Sequence, residues 1–302
     1  MAAQGWIPWL AARSGADLYY SPYYLYPYAV PLPVIITIHD LIPLEFSGMI
    51  PARWGQRLYR PLHRLAARRA NHIMTDSAGA RDAILRHLRV PPDRITVVHA
   101  APDPFFTAEP ATPRESYLFS LISNKPHKNG RRLLGAFAAI QPQEHGIRLV
   151  IAGPYDPHWP SWEELAAEVG VADWVTALGR ISEASLREHY RRCGAFVFPS
   201  FAEGFGLPVL EAMACGAPVV VADASPMRDL AAGAALRFAP FDEHALAGTL
   251  HRLLAEPALR SRLSQRAVQR AAEFSWQRSA REMLAVCESV LEREQLRKSR
   301  LF

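Results

Sequence analysis

The sequence predicts an α/β protein made of two domains. Short apolar runs alternate along the chain with longer amphipathic stretches, which is the pattern of parallel strands connected by helices. The chain has 302 residues, half of them hydrophobic, so it can bury a substantial core, and its length favours two domains. A proline-rich stretch without periodicity near residues 100–115 separates two sets of strands. We therefore predict domains at residues 1–110 and 111–302.

The first predicted domain contains an apolar stretch that is not a membrane helix. Residues 18–38, "LYYSPYYLYPYAVPLPVIITI", run for 21 residues without a charge, long enough to span a bilayer. Four prolines exclude a helix there, so we predict strands at 17–20 and 34–38 with a loop between them. Further strands are predicted at 72–76 and 95–99, and helices near 53–70 and 77–89. The N-terminal residues lack a basic segment followed by an apolar core, and no signal peptide is expected.

The second predicted domain continues the alternation of strand and helix. Buried strands are expected in "YLFSLI", "RLVIAG", "WVTALG", "GAFVFPS" and "APVVVA", and the chain from about residue 242 is predicted to be almost entirely helical. In doubly wound sheets, ligands bind beyond the carboxyl ends of the strands. The residues that directly follow each strand are therefore the first candidates for a site.

Charge and cysteine content exclude some classes of protein. The chain has 34 Lys and Arg residues against 29 acidic ones, a formal charge of +5. This excess is too thinly spread for a dedicated nucleic-acid binder, so no nucleic-acid partner is expected, but it suits anionic small molecules or an anionic membrane surface. Cys193, Cys215 and Cys287 are far apart and show no paired metal-type spacing. We expect no metal site and a reducing, cytoplasmic compartment.

Two carboxylates flank a glycine-rich turn after the strand in "GAFVFPS". In "SFAEGFGLPVLEAMACG", Glu203 lies in the turn and Glu211 in the helix that follows it. Gly204 and Gly206 allow backbone conformations closed to other residues and a close approach of a ligand to N–H groups. A carboxylate accepts two hydrogen bonds side by side, which matches the adjacent hydroxyls of a sugar or ribose. Alternatively, Glu211 complements its helix dipole from the first turn and Glu203 is a solvated loop acid.

A basic turn follows the strand in "YLFSLI". In "SNKPHKNGRRLLGAF", Lys125, His127 and Lys128 lie where a helix is about to begin. Cations at a helix N-terminus oppose its dipole, so their position favours a bound phosphate between them. The alternative is a solvated basic turn.

These segments together resemble a known family. The stretch "PSFAEGFGLPVLEAMACGAPVVVAD" is similar to the signature of the retaining glycosyltransferases of family 4, which have the GT-B fold and a Glu-x7-Glu motif. The resemblance includes "PHKNGRRLLGAF", "LVIAG" and "ALGRIS", and "VIITIHDLIPLEF" and "TDSAGARDAIL" resemble the acceptor-side domain. It implies a GT-B type fold, with two Rossmann-like domains whose parallel sheets face a cleft and with an abbreviated first domain.

The resemblance also implies a role for each candidate residue. The second domain would bind a nucleotide-diphospho-sugar such as GDP-mannose or UDP-glucose, with Glu211 on the ribose and Lys128 on the diphosphate. His39 matches the family histidine that faces the donor sugar from the first domain, and with Glu203 and Lys128 it forms the expected catalytic set. The sugar would contact Glu203 and the backbone of Gly204, Phe205, Gly206 and Leu207, and the base would rest against Gly179, Arg180 and Ile181.

The implied activity is the transfer of mannose or glucose, with retention, to a glycan or lipid-linked acceptor in polysaccharide biosynthesis. The leaving diphosphate itself would take the proton of the acceptor, so the protein positions the reactants and stabilises charge. Neither a metal ion nor another cofactor is implied, because a lysine and helix N–H groups can stabilise the leaving phosphate.

Two departures from the family pattern leave other functions open. Ser123 stands where family members commonly have an arginine, so Lys125 or another cation would have to supply that charge. The usual first strand, glycine loop and helix have no counterpart ahead of residue 17. The alternatives are a nucleotide-sugar-binding or scaffolding subunit without transfer activity, and a glycoside hydrolase in which the two glutamates act as paired acids.

The stretch "PARWGQRLYRPLHRLAARRANH", at 51–72, contains six arginines and no acid. Its large apolar residues fall opposite most of the arginines if the segment is helical, which suits contact with anionic lipid headgroups at the inner face of a membrane. The alternative is a packed helix with a solvated basic face. The apolar residues are Trp54, Leu58, Leu62 and Leu65.

Overall fold

The chain forms two units in the computed structural model, which describes residues 2–46, 53–109 and 112–299. The first unit contains Met1–Ala100 together with Trp276–Phe302, and the second contains Ala101–Ser275. The predicted boundary between residues 110 and 111 lies outside the described residues, and the division falls after Ala100 instead.

The first unit is built on a parallel sheet of four short strands. Its elements up to Ala100 are α1 (Ala2–Arg13), β1 (Tyr19–Ser21), β2 (Val34–Thr37), α2 (Ile42–Glu45), α3 (Arg53–Arg69), β3 (His72–Thr75), α4 (Ala78–Leu88) and β4 (Ile95–Val97). The strands lie in the order β1-β2-β3-β4. Every residue of β2 and β3 is buried, as expected for strands covered on both faces. Helix α4 begins where the Ser77 hydroxyl accepts a hydrogen bond from the Ala80 N–H.

The second unit is built on a parallel sheet of six strands. Its elements are β5 (Tyr117–Leu121), α5 (Gly130–Ala139), α6 (Pro142–His145), β6 (Arg148–Ala152), α7 (Trp162–Glu168), β7 (Val175–Gly179), α8 (Glu183–Arg192), β8 (Ala195–Phe198), α9 (Leu207–Ala214), β9 (Val219–Ala222), α10 (Met227–Leu230), β10 (Ala235–Phe238), α11 (Glu243–Ala255) and α12 (Pro257–Ala271). The strand order is β10-β9-β8-β5-β6-β7, so the direction of winding reverses between β5 and β8. This Rossmann-like order places a ligand site at the carboxyl ends of those two strands.

Helix α13 (Trp276–Ser299) returns to the first unit and covers one face of its sheet. Successive side chains of a strand point to opposite faces. Ile36 and Ile73 pack in the cluster that includes residues of α3 and α4, whereas Ile35 and Met74 pack against two valines of α13. The prediction that residues 276–299 belong to the second domain is therefore wrong, because the sheet of the first unit needs this helix to bury its other face.

The predicted strands are present, and the charge-free stretch at 18–38 forms β1, a loop and β2. Among the described residues, no helix is both long and apolar enough to cross a membrane. The predicted helices near 53–70 and 77–89 correspond to α3 and α4, although residues 51–52 of the basic stretch lie outside the described residues. Helices α1, α2 and α6 and strand β10 were not predicted. Helix α1 contains Pro8, and the edge strand β10 is short and includes the exposed Arg237.

Candidate active site

The loop that follows β5 is held in place by an asparagine at each end. Asn124 donates hydrogen bonds to the carbonyl oxygens of Asp156 (2.9 Å), Trp159 and Pro160 and accepts one from the Asp156 N–H. Asn129 donates to the carbonyl oxygens of Pro199 (3.1 Å) and Pro240 (2.7 Å), in the loops after β8 and β10. Both asparagines are buried, so the loop is fixed against the loops of three other strands. The sequence analysis did not identify either asparagine.

Lys128 and Glu203 meet where the winding of the sheet reverses. The Lys128 Nζ lies 2.6 Å from the Glu203 Oε1, and the two side chains are 20% and 12% exposed. The backbone joins the same two loops, because the Phe201 N–H donates to the carbonyl oxygen of His127 at 3.1 Å. The structure thus brings the predicted phosphate cation and the predicted sugar carboxylate into one charge-assisted hydrogen bond.

The glycine turn after Glu203 is closely packed. Gly206 has a φ of +109°, which favours glycine, and a Cβ at this position would overlap the methyl group of Met227. The side chain of Phe205 is buried and packs edge-on against Phe274, so only the backbone of Phe205 suits the predicted contact with a sugar. Helix α9 begins directly after Gly206 at Leu207, whose side chain is exposed.

Glu211 lies inside α9 with a carboxyl group largely removed from water. The first turn of α9 contains no acid, so the alternative in which Glu211 complements the dipole from that turn is wrong. The hydroxyl of the fully buried Tyr190 donates to the Glu211 Oε2 at 3.2 Å. Burial raises the pKa of Glu211 to about 7, and the hydrogen bond from Tyr190 opposes this rise. Tyr190 was missed by the sequence analysis, because it lies in α8, distant from Glu211 in the chain.

The other cations predicted in the basic turn differ in charge and contact. Lys125 lies 3.8 Å from the Asp156 carboxylate. His127 is buried, and burial with two neighbouring lysines lowers its pKa to about 4. His127 is therefore neutral near pH 7, and the prediction that it adds positive charge is wrong for that reason.

The residues predicted to contact the base lie at the end of β7 and directly after it, and β7 is two strands from β5 in the sheet. Gly179 has a φ of +64°, and its carbonyl oxygen accepts a hydrogen bond from the Gly153 N–H at 2.9 Å. Gly179 and Arg180 are exposed and Ile181 is half-buried. These residues are thus accessible, but they are not part of the cluster around Lys128.

His39 lies in the first unit, at the carboxyl end of β2. Its Nδ1 is 2.6 Å from the Asp76 Oδ2, and its Nε2 is 3.0 Å from the carbonyl oxygen of Pro22. Both partners are acceptors, so both ring nitrogens donate in the protonated ring. The hydrogen bond to Asp76 accordingly raises the pKa of His39. Asp76 was missed, although it follows β3 as His39 follows β2, and neighbouring parallel strands end at the same edge.

Among the described residues, no group of three or more His, Cys, Asp or Glu side chains is arranged to hold a metal ion. The candidate residues instead offer a lysine, two glutamates, a histidine and backbone groups. These suit hydroxyls and phosphate.

Comparison with protein families decides the class of the chain. Residues 105–270 match the family described as glycosyl transferases group 1, and residues 3–101 match the glycosyl transferase 4-like domain. The chain belongs to the group 1 glycosyl transferases. The resemblance found in the sequence is confirmed.

A curated relative of this group 1 glycosyl transferase is the O-antigen chain mannosyltransferase B of Escherichia coli, 28% identical over 86% of the chain and 71% of the relative. The alignments span between 57% and 71% of the length of the first three curated relatives. Two similar solved structures are the sucrose-phosphate synthase of Thermosynechococcus elongatus and HepE of Anabaena in complex with UDP-glucose. The synthase has a TM-score of 0.77 and 22% sequence identity, and the match covers 95% of this chain and 76% of the synthase. HepE has a TM-score of 0.74 and 17% sequence identity, and the match covers 93% of this chain and 82% of HepE. The predicted α/β fold of GT-B type, with two parallel sheets, is confirmed.

Replacing Glu211 with glutamine is expected to separate stability from ligand binding. Between about pH 4.5 and 7 the folded chain keeps the Glu211 proton while the unfolded chain loses it. The free energy of unfolding of the native chain therefore falls as the pH rises through this range. Glutamine avoids the loss. Glu211→Gln should be about 1–2 kcal/mol more stable than the native chain above about pH 8 and equal to it near pH 4, measured by urea denaturation.

The same variant should bind nucleotide sugars at least tenfold more weakly above about pH 8, because the uncharged amide accepts hydrogen bonds on one oxygen only. Tyr190→Phe is the matched control, since it keeps the carboxylate and should only move the pH dependence of binding to higher pH. Unchanged affinity of Glu211→Gln in calorimetry would contradict the assignment to ribose.

Glu203→Gln should free Lys128 for phosphate. In the native chain the Glu203 carboxylate pairs with the Lys128 ammonium. Because glutamine removes that negative charge, the Glu203→Gln variant is expected to bind a nucleoside diphosphate about threefold to tenfold more tightly than the native chain, measured by calorimetry. Lys128→Ala should weaken the diphosphate at least tenfold and leave the nucleoside unaffected. An equal loss for both ligands in Lys128→Ala would return the lysine to a structural role.

Asp76→Asn should lower the pKa of His39, because the amide supplies no negative charge to the imidazolium. NMR titration of the His39 ring measures this shift directly. Asp40→Asn, which changes the carboxylate that accepts a hydrogen bond from the Ile42 N–H, is the control and should move the His39 pKa much less. Equal shifts in the two variants would show that Asp76 has no special part in holding the proton.

Proposed function

We propose that this chain is a retaining glycosyltransferase that transfers mannose or glucose from a nucleotide-diphospho-sugar to a glycan or lipid-linked acceptor. The contact between Lys128 and Glu203 at the reversal of the sheet, with Glu211 close by in sequence, carries the proposal. It joins one group suited to phosphate and one suited to hydroxyls. Mannose is supported by the similarity to a mannosyltransferase, and a UDP-linked donor by the similarity to HepE with UDP-glucose.

In the proposed reaction the bond between the sugar C1 and the diphosphate oxygen breaks, and its electron pair stays with the diphosphate. The acceptor oxygen forms a bond to C1 on the same face, and its proton passes to the diphosphate oxygen. Lys128 and the N–H groups at the start of α5 would stabilise the charge that develops there. This division of work makes the reaction independent of a metal ion.

The two alternatives are less well supported. In a glycoside hydrolase, Glu203 would act on a neutral glycoside, which gives the adjoining Lys128 nothing to bind. A scaffolding subunit gives no reason for a histidine held between two acceptors at the end of β2.

We also propose that the enzyme works in the cytoplasm and contacts the inner face of a membrane, where a lipid-linked acceptor would be presented. The free cysteines Cys193 and Cys215 are buried, which suits a reducing compartment.

The proposal is tested by thermal shift of the purified chain with GDP-mannose, UDP-glucose and the corresponding nucleosides. A donor at about 100 times its Kd should stabilise the fold by about 2.7 kcal/mol. His39→Ala should bind the donor within about threefold of the native chain and turn over at least tenfold more slowly, because it lies outside the donor-binding unit. If no nucleotide sugar raises the melting temperature, the proposal is wrong.

A further inference from the structure

Helix α3 is fixed to the first unit by one narrow face. Three residues in the C-terminal half of the helix and one just beyond its end are buried: His63, Ala66, Ala67 and Ala70. The ring of His63 stacks on Tyr24 at 3.5 Å between centroids. These contacts set the rotation of the helix about its axis, so the directions of its other side chains follow from its geometry.

A stripe of leucines on α3 points away from the buried face. Leu58, Leu62 and Leu65 are separated by four and three residues, the spacing of neighbours on one side of a helix. Their exposures are 55%, 36% and 40%. We call these three residues the leucine stripe. Three exposed leucines side by side on one face of a helix are unusual for a surface that faces only water.

Arginines flank the leucine stripe on α3. Arg69 continues the stripe four residues after Leu65, and Arg68 lies on the neighbouring arginine face; both are exposed, and in the described part of the chain neither forms an ion pair. Arg60 and Arg64 instead donate to the carbonyl oxygen of His87 at the end of α4. The helix contains no Asp or Glu, so its field is uniformly positive.

We propose that the leucine stripe with Arg68 and Arg69 docks the protein on an anionic lipid surface. The leucines would enter the region between headgroups, and the guanidinium groups would pair with lipid phosphates. This inference rests on the membrane contact proposed above and not on the assignment of the donor.

The chemistry of the surface favours lipid over other anionic partners. A nucleic acid would engage the arginines through phosphate contacts and leave the leucines in water. A lipid surface accepts both, because apolar side chains are buried at the boundary of headgroups and acyl chains while basic side chains stay among the phosphates. The buried small residues of α3 also show that the leucines are not needed for packing within the unit.

The test is flotation of the purified full chain with vesicles of phosphatidylcholine alone and vesicles that also contain phosphatidylglycerol. The native chain should bind the anionic vesicles at least tenfold more tightly. Leu62→Ser with Leu65→Ser, and separately Arg68→Glu with Arg69→Glu, should each reduce this binding at least tenfold. Leu284→Ser with Arg281→Glu on α13 is the matched control, since Leu284 is 61% exposed and Arg281 is also exposed, and it should bind as the native chain does.

The inference would be overturned by equal binding of the native chain and the α3 variants, or by equal binding to both kinds of vesicle. Sedimentation showing that the leucine stripe joins two copies of the chain would overturn it as well. A preference for single-stranded oligonucleotide over anionic vesicles would also overturn it. Thermal shift with nucleotide sugars on the same samples reports the donor site separately. Variants that no longer bind vesicles but keep the thermal shift with a nucleotide sugar support the inference. Absence of that shift in the native chain contradicts the proposed function and leaves the inference about lipid intact.

Discussion

The fixation of one loop by two asparagines is the constraint on which the site of the second unit depends. Asn124 ties the loop after β5 to the loop after β6, and Asn129 ties it to the loops after β8 and β10. Lys128 precedes an asparagine in the left-handed conformation, φ +61°, which turns the chain sharply into α5. A cation at a helix N-terminus is unfavourable on its own, and the hydrogen bonds of Asn129 together with the Glu203 carboxylate offset that cost.

The site holds two carboxyl groups in opposite electrostatic situations. Glu203 is neutralised by contact with Lys128, whereas Glu211 accepts a hydrogen bond from the neutral hydroxyl of Tyr190 and is disfavoured as an anion by burial. A fold selected for stability alone would place an apolar residue or an amide at position 211. Retaining a carboxyl group there is the kind of local cost that proteins accept at functional sites.

The sequence was sufficient for the fold class and for placing Lys128 and Glu203 in one candidate site, because both follow buried strands whose carboxyl ends lie at the same edge of the sheet, but their direct contact was not predicted. It was not sufficient for Tyr190 and Asp76, whose roles depend on contacts between elements far apart in the chain. The same limit explains why α13 was assigned to the wrong domain. Its valines pack against strands that precede the helix by some 200 residues, and the sequence pattern does not show that contact. The charge of His127 was mispredicted because burial, which the local sequence does not show, is the main cause of its lowered pKa.

The contacts of His39 limit the part that it can take in the proposed reaction. In its protonated form His39 donates from both ring nitrogens, to Asp76 and to the Pro22 carbonyl oxygen, and has no lone pair with which to accept another proton. It can offer positive charge to a sugar or phosphate, but it cannot act as the general base for an acceptor hydroxyl without first giving up a proton that Asp76 holds in place. Glu203 is already engaged by Lys128. The proposed reaction accordingly gives the acceptor proton to the leaving diphosphate and leaves His39 the task of stabilising negative charge.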